Sequence, residues 1–335
     1  MAVIYYNIKG TLSGGGPSVH VARMTQALQS KGHKIIYDKP QNANVAVCII
    51  NTGAVLRKAR KNGGKTRVIL RIDGIYNKLY NTKFNRAIRP DMQALHAELK
   101  RDIPLVDHMV YQSEWSRDRI WDEIVKVDRN YSIIHNGVDT NLFKPFNKQL
   151  DKSVTLIHVG KMRDAYLMEM LVGTYIEVKN RGVNVKLLLV GTMDGGCQQV
   201  FNKHKSDSNI KHMGNFVNNQ LTQVYNMGDI FLDVRQGSSC NNVVSEAQAC
   251  GLPVITPSWG GSCEMIVDKK TGIIVDGGQW DYDQKYIFKL SDAVEEIMPD
   301  IGNFKSRSRV HAIKNLSITT MVDKYIKIIN RIKNE

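Results

Sequence analysis

Gly237-Ser238-Ser239-Cys240-Asn241-Asn242-Val243-Val244-Ser245-Glu246-Ala247-Gln248-Ala249-Cys250-Gly251 runs directly into Leu252-Pro253-Val254-Ile255-Thr256, and Trp259-Gly260-Gly261 follows. A polar loop, a helix opening and a short apolar run occur there in that order. Asn241 and Asn242 are good N-cap residues, so a helix is predicted to start at one of them. Its first amides and its dipole would hold a diphosphate. Glu246 lies within about the first turn, where its carboxylate either accepts hydrogen bonds from ribose hydroxyls or simply offsets the helix dipole.

The same alternation extends in both directions. Val3–Tyr6, Val45–Ile50, Val68–Ile72, His108–Tyr111 and Tyr131–Ile134 read as strands. A second series covers Thr155–Val159, Lys186–Val190, Ile230–Val234, Pro253–Thr256 and Gly272–Val275. These runs are short and rich in Val, Ile and Leu, as in a parallel sheet buried on both faces. Between them lie helical patterns such as Ser18 to Lys31, which places Val21, Met24 and Leu28 on one face. The fold class is therefore α/β. The polar stretch Asn136 to Ser153 separates the two series and is the candidate linker. Ile318 to Lys333 reads as a basic amphipathic helix whose apolar face holds Met321, Tyr325, Ile328 and Ile329. By pattern alone it fits a surface helix, a membrane-contacting helix or a return to the first domain.

The chain has 335 residues, enough for two domains, with 42% hydrophobic and 23% charged residues. No apolar run reaches the length of a membrane span, and the first ten residues lack the pattern of a signal peptide. A cytoplasmic protein is expected, with a peripheral place at a membrane as an alternative. Five cysteines without a CxxC pair argue for buried thiols rather than a disulfide framework or structural zinc. The formal charge of +14 favours anionic partners: nucleotide phosphates, nucleic acid or an acidic membrane surface. Arg57, Lys58, Arg60, Lys61, Lys65 and Arg67 cluster locally, either as a solvated face or as an anionic acceptor surface.

Three other places carry chemistry. Ser13-Gly14-Gly15-Gly16-Pro17-Ser18 follows the first strand and precedes a helix; it is either a tight turn or a ligand cradle. His135-Asn136-Gly137-Val138-Asp139, with Phe143 and Pro145, reads first as a turn at a strand end. Lys161 and Arg163 follow a strand at the edge where open α/β sheets bind ligands. Either one neutralises a leaving phosphate or is a plain surface charge. Asp73 also follows a strand, as a contact for sugar or acceptor or as a turn residue beside Gly74.

Taken together, these residues resemble the retaining glycosyltransferases of the GT-B fold, specifically glycosyltransferase family 4 (glycosyl transferases group 1). The likeness runs from the glycine-rich start through Asn136-Gly137-Val138-Asp139 to Glu246–Ile255. It continues through Gly260-Gly261, Glu264 and Thr271-Gly272. The resemblance implies two Rossmann-like domains facing a cleft: residues 1–148 on the acceptor side, 149–316 for the nucleotide sugar, and 317–335 as a helix crossing back to the first domain. It implies transfer with retained anomeric configuration, no cofactor and no metal in the site, and a UDP- or GDP-sugar donor.

By position, Glu246 would bind the ribose. The amides around Val243 and Val244, with Lys161, would hold the diphosphate, and Gly14, Gly15 and Gly16 would approach from the other side. Where relatives carry the first of two glutamates this chain has Ser238, so backbone or Asn241 would contact the sugar there. Lys161 replaces the family's arginine, the second basic residue has no clear match except Arg163, and Asp73 stands near a place where relatives often use histidine. The alternatives are a DNA-modifying glycosyltransferase, suggested by the charge, a sugar-nucleotide epimerase or hydrolase, and a sugar-nucleotide-binding protein without transferase activity. A nicotinamide dehydrogenase is disfavoured because the GxGxxG fingerprint is missing.

Overall fold

The computed structural model describes residues 1–11, 16–60, 64–72, 90–128, 130–146, 153–217, 220–277 and 282–334. The chain forms two compact units: Met1–Gly137 with Ile318–Glu335, and Val138–Ser317.

The first unit orders as β1 (Val3–Tyr6), α1 (Gly16–Ser30), β2 (Lys34–Ile36), β3 (Val45–Ile49), α2 (Val55–Arg60), β4 (Arg67–Arg71), α3 (Pro90–Asp102), β5 (His108–Tyr111), α4 (Glu114–Glu123) and β6 (Tyr131–Ile133). Its six strands pair in parallel in the order β2-β1-β3-β4-β5-β6.

The second unit holds β7 (Val154–Val159), α5 (Ala165–Asn180), β8 (Val185–Val190), α6 (Gly195–Asn202), β9 (Ile210–His212), α7 (Leu221–Tyr225), β10 (Ile230–Leu232), α8 (Asn242–Ala249), β11 (Val254–Pro257), β12 (Gly272–Val275), α9 (Gln284–Ile297) and α10 (Ile301–Asn315). Its order is β12-β11-β10-β7-β8-β9, again with parallel pairs. Read from β9, this is the doubly wound 3-2-1-4-5-6 arrangement of dinucleotide-binding sheets. The last helix, α11 (Ile318–Ile332), belongs to the first unit.

Strand residues alternate between two cores, one on each face of each sheet. Val185, Leu187 and Leu189 of β8 join one cluster, and Leu188 and Val190 join the other. In the first unit Ile4 and Tyr6 face a core shared with Met24, Leu28, Met321, Val322, Tyr325 and Ile328, whereas Tyr5 faces the opposite cluster. The apolar face predicted for the last helix is therefore buried within the first unit. The boundary falls at Gly137/Val138, earlier than the expected 148/149. Its cause is packing: Val138 and Phe143 are fully buried in the core of the second unit, and the Val138 amide donates to Leu316 O at 2.8 Å.

Two strands were absent from the sequence expectation, β2 and β9. Both are three-residue edge strands, Lys34-Ile35-Ile36 and Ile210-Lys211-His212. Short, lysine-bearing edges resist pairing with foreign strands, and that same composition hides them from a search for apolar runs. The cysteines are free, and four of the five are buried. Burial pushes the Cys48, Cys197 and Cys250 thiols up to about 12, so they pack as inert groups.

Candidate functional site

In an open parallel sheet, ligands bind at the carboxyl ends of the strands where the winding direction reverses. In the second unit that point lies between β7 and β10, whose chains leave in opposite directions along the sheet. The loop after β7 carries Lys161 and Arg163. The loop after β10 carries Arg235, Ser238 and Asn241 and ends at α8.

Glycines shape the β7 corner. Gly160 has φ +147° and Gly191, at the end of β8, has φ +122°, both outside the range that side-chain-bearing residues favour. A Cβ on Gly191 would sit 2.0 Å from the Gly160 carbonyl oxygen. The chain therefore turns tightly over β8, and Met162 is buried and bridged to Met193. That anchor leaves Lys161 and Arg163 on the exposed side.

From the β10 loop, Arg235 Nη2 donates to Lys161 O at 3.1 Å, tying the two loops together. Lys161, Arg163 and Arg235 make no ion pair with a carboxylate among the described residues. Three cations thus adjoin the crevice without a compensating carboxylate among the described residues.

The start of α8 completes the arrangement. Asn241 is its N-cap, in extended conformation, but its side chain does not cap the helix. Instead Asn241 Nδ2 donates to Asp233 Oδ2 at 3.0 Å, and Ser238 Oγ donates to Asn241 Oδ1 at 2.5 Å. With the capping acceptor diverted, the amides of Asn242 and Val243 find no acceptor among the described residues, whereas Val244 N donates to Asn241 O at 3.1 Å. The anion-binding capacity of this helix start therefore rests on Asn242 and Val243, and the Val244 side chain is core.

The β10 loop is also fastened to the turn after β11. Gly237 N donates to Trp259 O at 2.9 Å and Gly261 N to Ser238 O at 2.7 Å. Glu246 is 5% exposed and accepts the Tyr225 hydroxyl at Oε2, 3.0 Å away. Tyr225 thus fixes the direction of that carboxylate.

Behind the corner lies His158 of β7, fully buried. Its Nδ1 donates to Leu232 O at 2.8 Å, and its Nε2 finds no partner among the described residues. Burial, with the Arg235 charge beside it, pulls the imidazole down to about 4. An unfolded histidine titrates near 6.5, so between pH 6.5 and about 4 the unfolded chain binds a proton that the native one refuses. Stability is full above pH 6.5 and is lost as pH falls through that interval, by roughly 3 kcal/mol when complete. His158→Phe is expected to remove its share of this acid limb in urea unfolding between pH 4 and 7, the remainder coming from other buried histidines such as His108. An unchanged limb would remove His158 as its source.

Asp73, Gly14 and Gly15 lie outside the described residues. Gly16 opens α1 in the first unit and is exposed. Arg235, Asp233, His158 and Tyr225 were not among the sequence candidates. For Arg235 the signal is present: it follows the predicted strand Ile230–Val234 directly, much as Lys161 follows Thr155–Val159 after Gly160.

Residues 153–293 match the family described as Glycosyl transferases group 1. A D-inositol 3-phosphate glycosyltransferase of Segniliparus rotundus is 25% identical over 205 residues, 57% of this chain and 46% of that protein. The N-acetyl-alpha-D-glucosaminyl L-malate synthase of Bacillus anthracis is 29% identical over 167 residues, 47% of this chain and 43% of that protein. The chain thus spans about half the length of the curated relatives it matches. A glycosyltransferase structure from Rickettsia africae superposes with TM-score 0.73 at 14% identity, covering 98% of both chains. The Anabaena protein HepE in complex with UDP-glucose gives 0.72 at 12% identity, covering 99% of this chain and 100% of that one. These likenesses establish the GT-B fold.

Proposed function

We propose that the chain, which folds as a GT-B protein and whose residues 153–293 match the glycosyl transferases group 1, transfers a sugar from a UDP- or GDP-sugar to an acceptor hydroxyl, with retained configuration and without a metal. The observation that carries this reading is the placement of Lys161, Arg163 and Arg235 in the loops that follow β7 and β10 at the switch point of the second sheet, with the Asn242 and Val243 amides where the latter loop ends.

As the glycosidic bond breaks, negative charge develops on the departing diphosphate. Cations and oriented amides already in place stabilise that charge without reorganising at the moment of reaction. The leaving phosphate takes the acceptor proton, so no protein nucleophile is required. Glu246, held by Tyr225, accepts from the ribose hydroxyls. Asp233 and Ser238 lock the Asn241 amide, which takes the place of the missing carboxylate at Ser238 in contacting the sugar. By resemblance, Gly14, Gly15 and Gly16 are assigned to the donor's diphosphate and sugar, and Asp73 to the sugar or acceptor.

Thermal-shift screening against a nucleotide-sugar panel tests the donor assignment, because a ligand that binds only the native state raises its stability. A UDP- or GDP-sugar is expected to raise Tm; a panel without any shift would end the proposal. Glu246→Gln keeps the shape of the side chain but weakens its acceptance of ribose hydroxyls. It is expected to raise the Kd for the nucleotide by about ten-fold. The 2′-deoxynucleotide should lose less on the same substitution; equal losses would detach Glu246 from the ribose. Products formed from donor alone would favour an epimerase or hydrolase.

Charge favours an anionic acceptor or acceptor-bearing surface. Residues 1–137 and 318–335 hold 26 Lys and Arg against 13 Asp and Glu, whereas 138–317 hold 20 against 19. Practically the whole excess sits on the unit assigned to the acceptor. The same asymmetry supports the nucleic-acid reading, which predicts duplex binding that weakens steeply with salt.

A further inference from the structure

The first unit carries a candidate site of its own. Along the outer side of β6, an edge strand of the first sheet, a groove of about 460 Å³ is lined by Ser132, Ile133, Ile134, Lys324, Lys327, Ile328 and Arg331. We propose that this groove is a phosphate-binding site that anchors a phosphate-bearing partner to the first unit.

Four observations converge on it. Lys324, Lys327 and Arg331 lie at helical spacing on one stripe of α11, and none is paired with a carboxylate among the described residues. Like charges at that spacing repel one another, so the fold itself gains nothing from the stripe.

The second observation is a fixed hydrogen-bond relay. Arg331 Nη2 donates to His108 Nδ1 at 2.9 Å, and His108 Nε2 lies 3.0 Å from Ser132 Oγ. His108 is 1% exposed, and burial together with the Arg331 charge pulls it down to about 4. The ring is therefore neutral at physiological pH. Because Nδ1 accepts from a guanidinium that has no lone pair to offer, the ring proton sits on Nε2 and is donated to Ser132. The Ser132 hydroxyl accepts that bond and makes no other among the described residues, so its own proton is available to a ligand in the groove that it lines.

Third, β6 is an edge strand. The Ile134 amide bonds inward to Tyr111 O, so by alternation the Ile133 amide faces outward along the groove. Fourth, the surrounding unit carries the 26-to-13 excess of basic residues, which concentrates anions near its surface. Three cations, a hydroxyl donor and a backbone amide, with no carboxylate lining the groove, match a phosphate group with its several acceptor oxygens. The groove also has room for part of an organic moiety.

The site is independent of the donor reading, so the two fail separately. The ¹⁵N-labelled full chain is titrated with inorganic phosphate, and in a second arm with vesicles of phosphatidylglycerol in phosphatidylcholine. The Ser132 and Ile133 amides are expected to shift with phosphate, along a curve separate from that of Asn242 and Val243. Replacing Lys324, Lys327 and Arg331 together by Gln should abolish the groove shifts. Ser132→Ala, which leaves the cations in place, should weaken the apparent affinity by about ten-fold. Replacing Lys34, Lys58 and Lys65 by Gln removes equal charge elsewhere in the unit and should leave the groove shifts intact. Groove-dependent vesicle binding would identify a lipid headgroup as the source of the phosphate; a response to the ion alone would identify a soluble phosphate ester. Unmoved groove amides at tens of millimolar phosphate, or equal loss in the two triple variants, would overturn the proposal.

Discussion

Replacing Lys161 and Arg235 by Ala is expected to lower kcat by about 10²–10³ for each single variant, while the fold persists. Each cation lies at the crevice between β7 and β10 without a carboxylate partner among the described residues, so neither contributes an ion pair to stability. Their loss should be felt mainly where charge develops on the leaving diphosphate. The double variant should lose less than the product of the two singles, because Arg235 also holds Lys161 in place through its carbonyl at 3.1 Å. Arg235→Lys retains the charge but loses the planar fork, and only part of the rate should return. Single-turnover kinetics with a donor identified by the thermal-shift screen measure these effects. Near-normal turnover in either single variant would withdraw that residue from the mechanism.

Gly191→Ala is expected to destabilise the second unit by about 3–5 kcal/mol, through a backbone clash at a φ that disfavours any side chain. The added Cβ would meet the Gly160 carbonyl oxygen at 2.0 Å, and main chain on either side must move. A fall in Tm of about 10 °C follows for a unit of this size. The informative comparison is Gly272→Ala, whose Cβ would meet Val254 O at 1.9 Å between β11 and β12. Both variants should lose stability. Only Gly191→Ala distorts the Gly160 corner, so it alone should weaken nucleotide binding under conditions where both remain folded. Equal nucleotide affinity in the two variants would show that the corner does not position Lys161.

Most of the architecture was legible because buried parallel strands are written as runs of Val, Ile and Leu. Ten of the twelve strands follow from that rule to within a residue or two. Two of the four edge strands, β2 and β9, escaped it because each carries a lysine in a three-residue run, polarity that an edge with one exposed side accommodates. The domain boundary was misplaced for a related reason. Asn136 to Ser153 is polar on average, but two apolar residues within it, Val138 and Phe143, decide its allegiance by packing into the second core.

At the candidate site, Lys161, Asn241, Asn242 and Glu246 are singled out by loop and helix patterns, and Ser238 and Val243 by resemblance. The hydrogen bonds around them are not legible in the sequence. That Asn241 turns away from its own helix to Asp233, or that Tyr225 grips Glu246, depends on side chains brought together from different strands and helices. No periodicity along the chain encodes such a meeting.

The membership of α11 in the first unit has a consequence for biosynthesis. Met321, Val322, Tyr325, Ile328, Ile329 and Ile332 fill a core whose other walls come from the beginning of the chain. On the ribosome, those walls must wait through the translation of 180 intervening residues, Val138–Ser317. The second half can mature as a continuous stretch while the first still exposes an unfilled apolar face. Polypeptides halted before residue 318 should accordingly engage chaperones through their amino-terminal portion, and the order of maturation runs opposite to the order of synthesis.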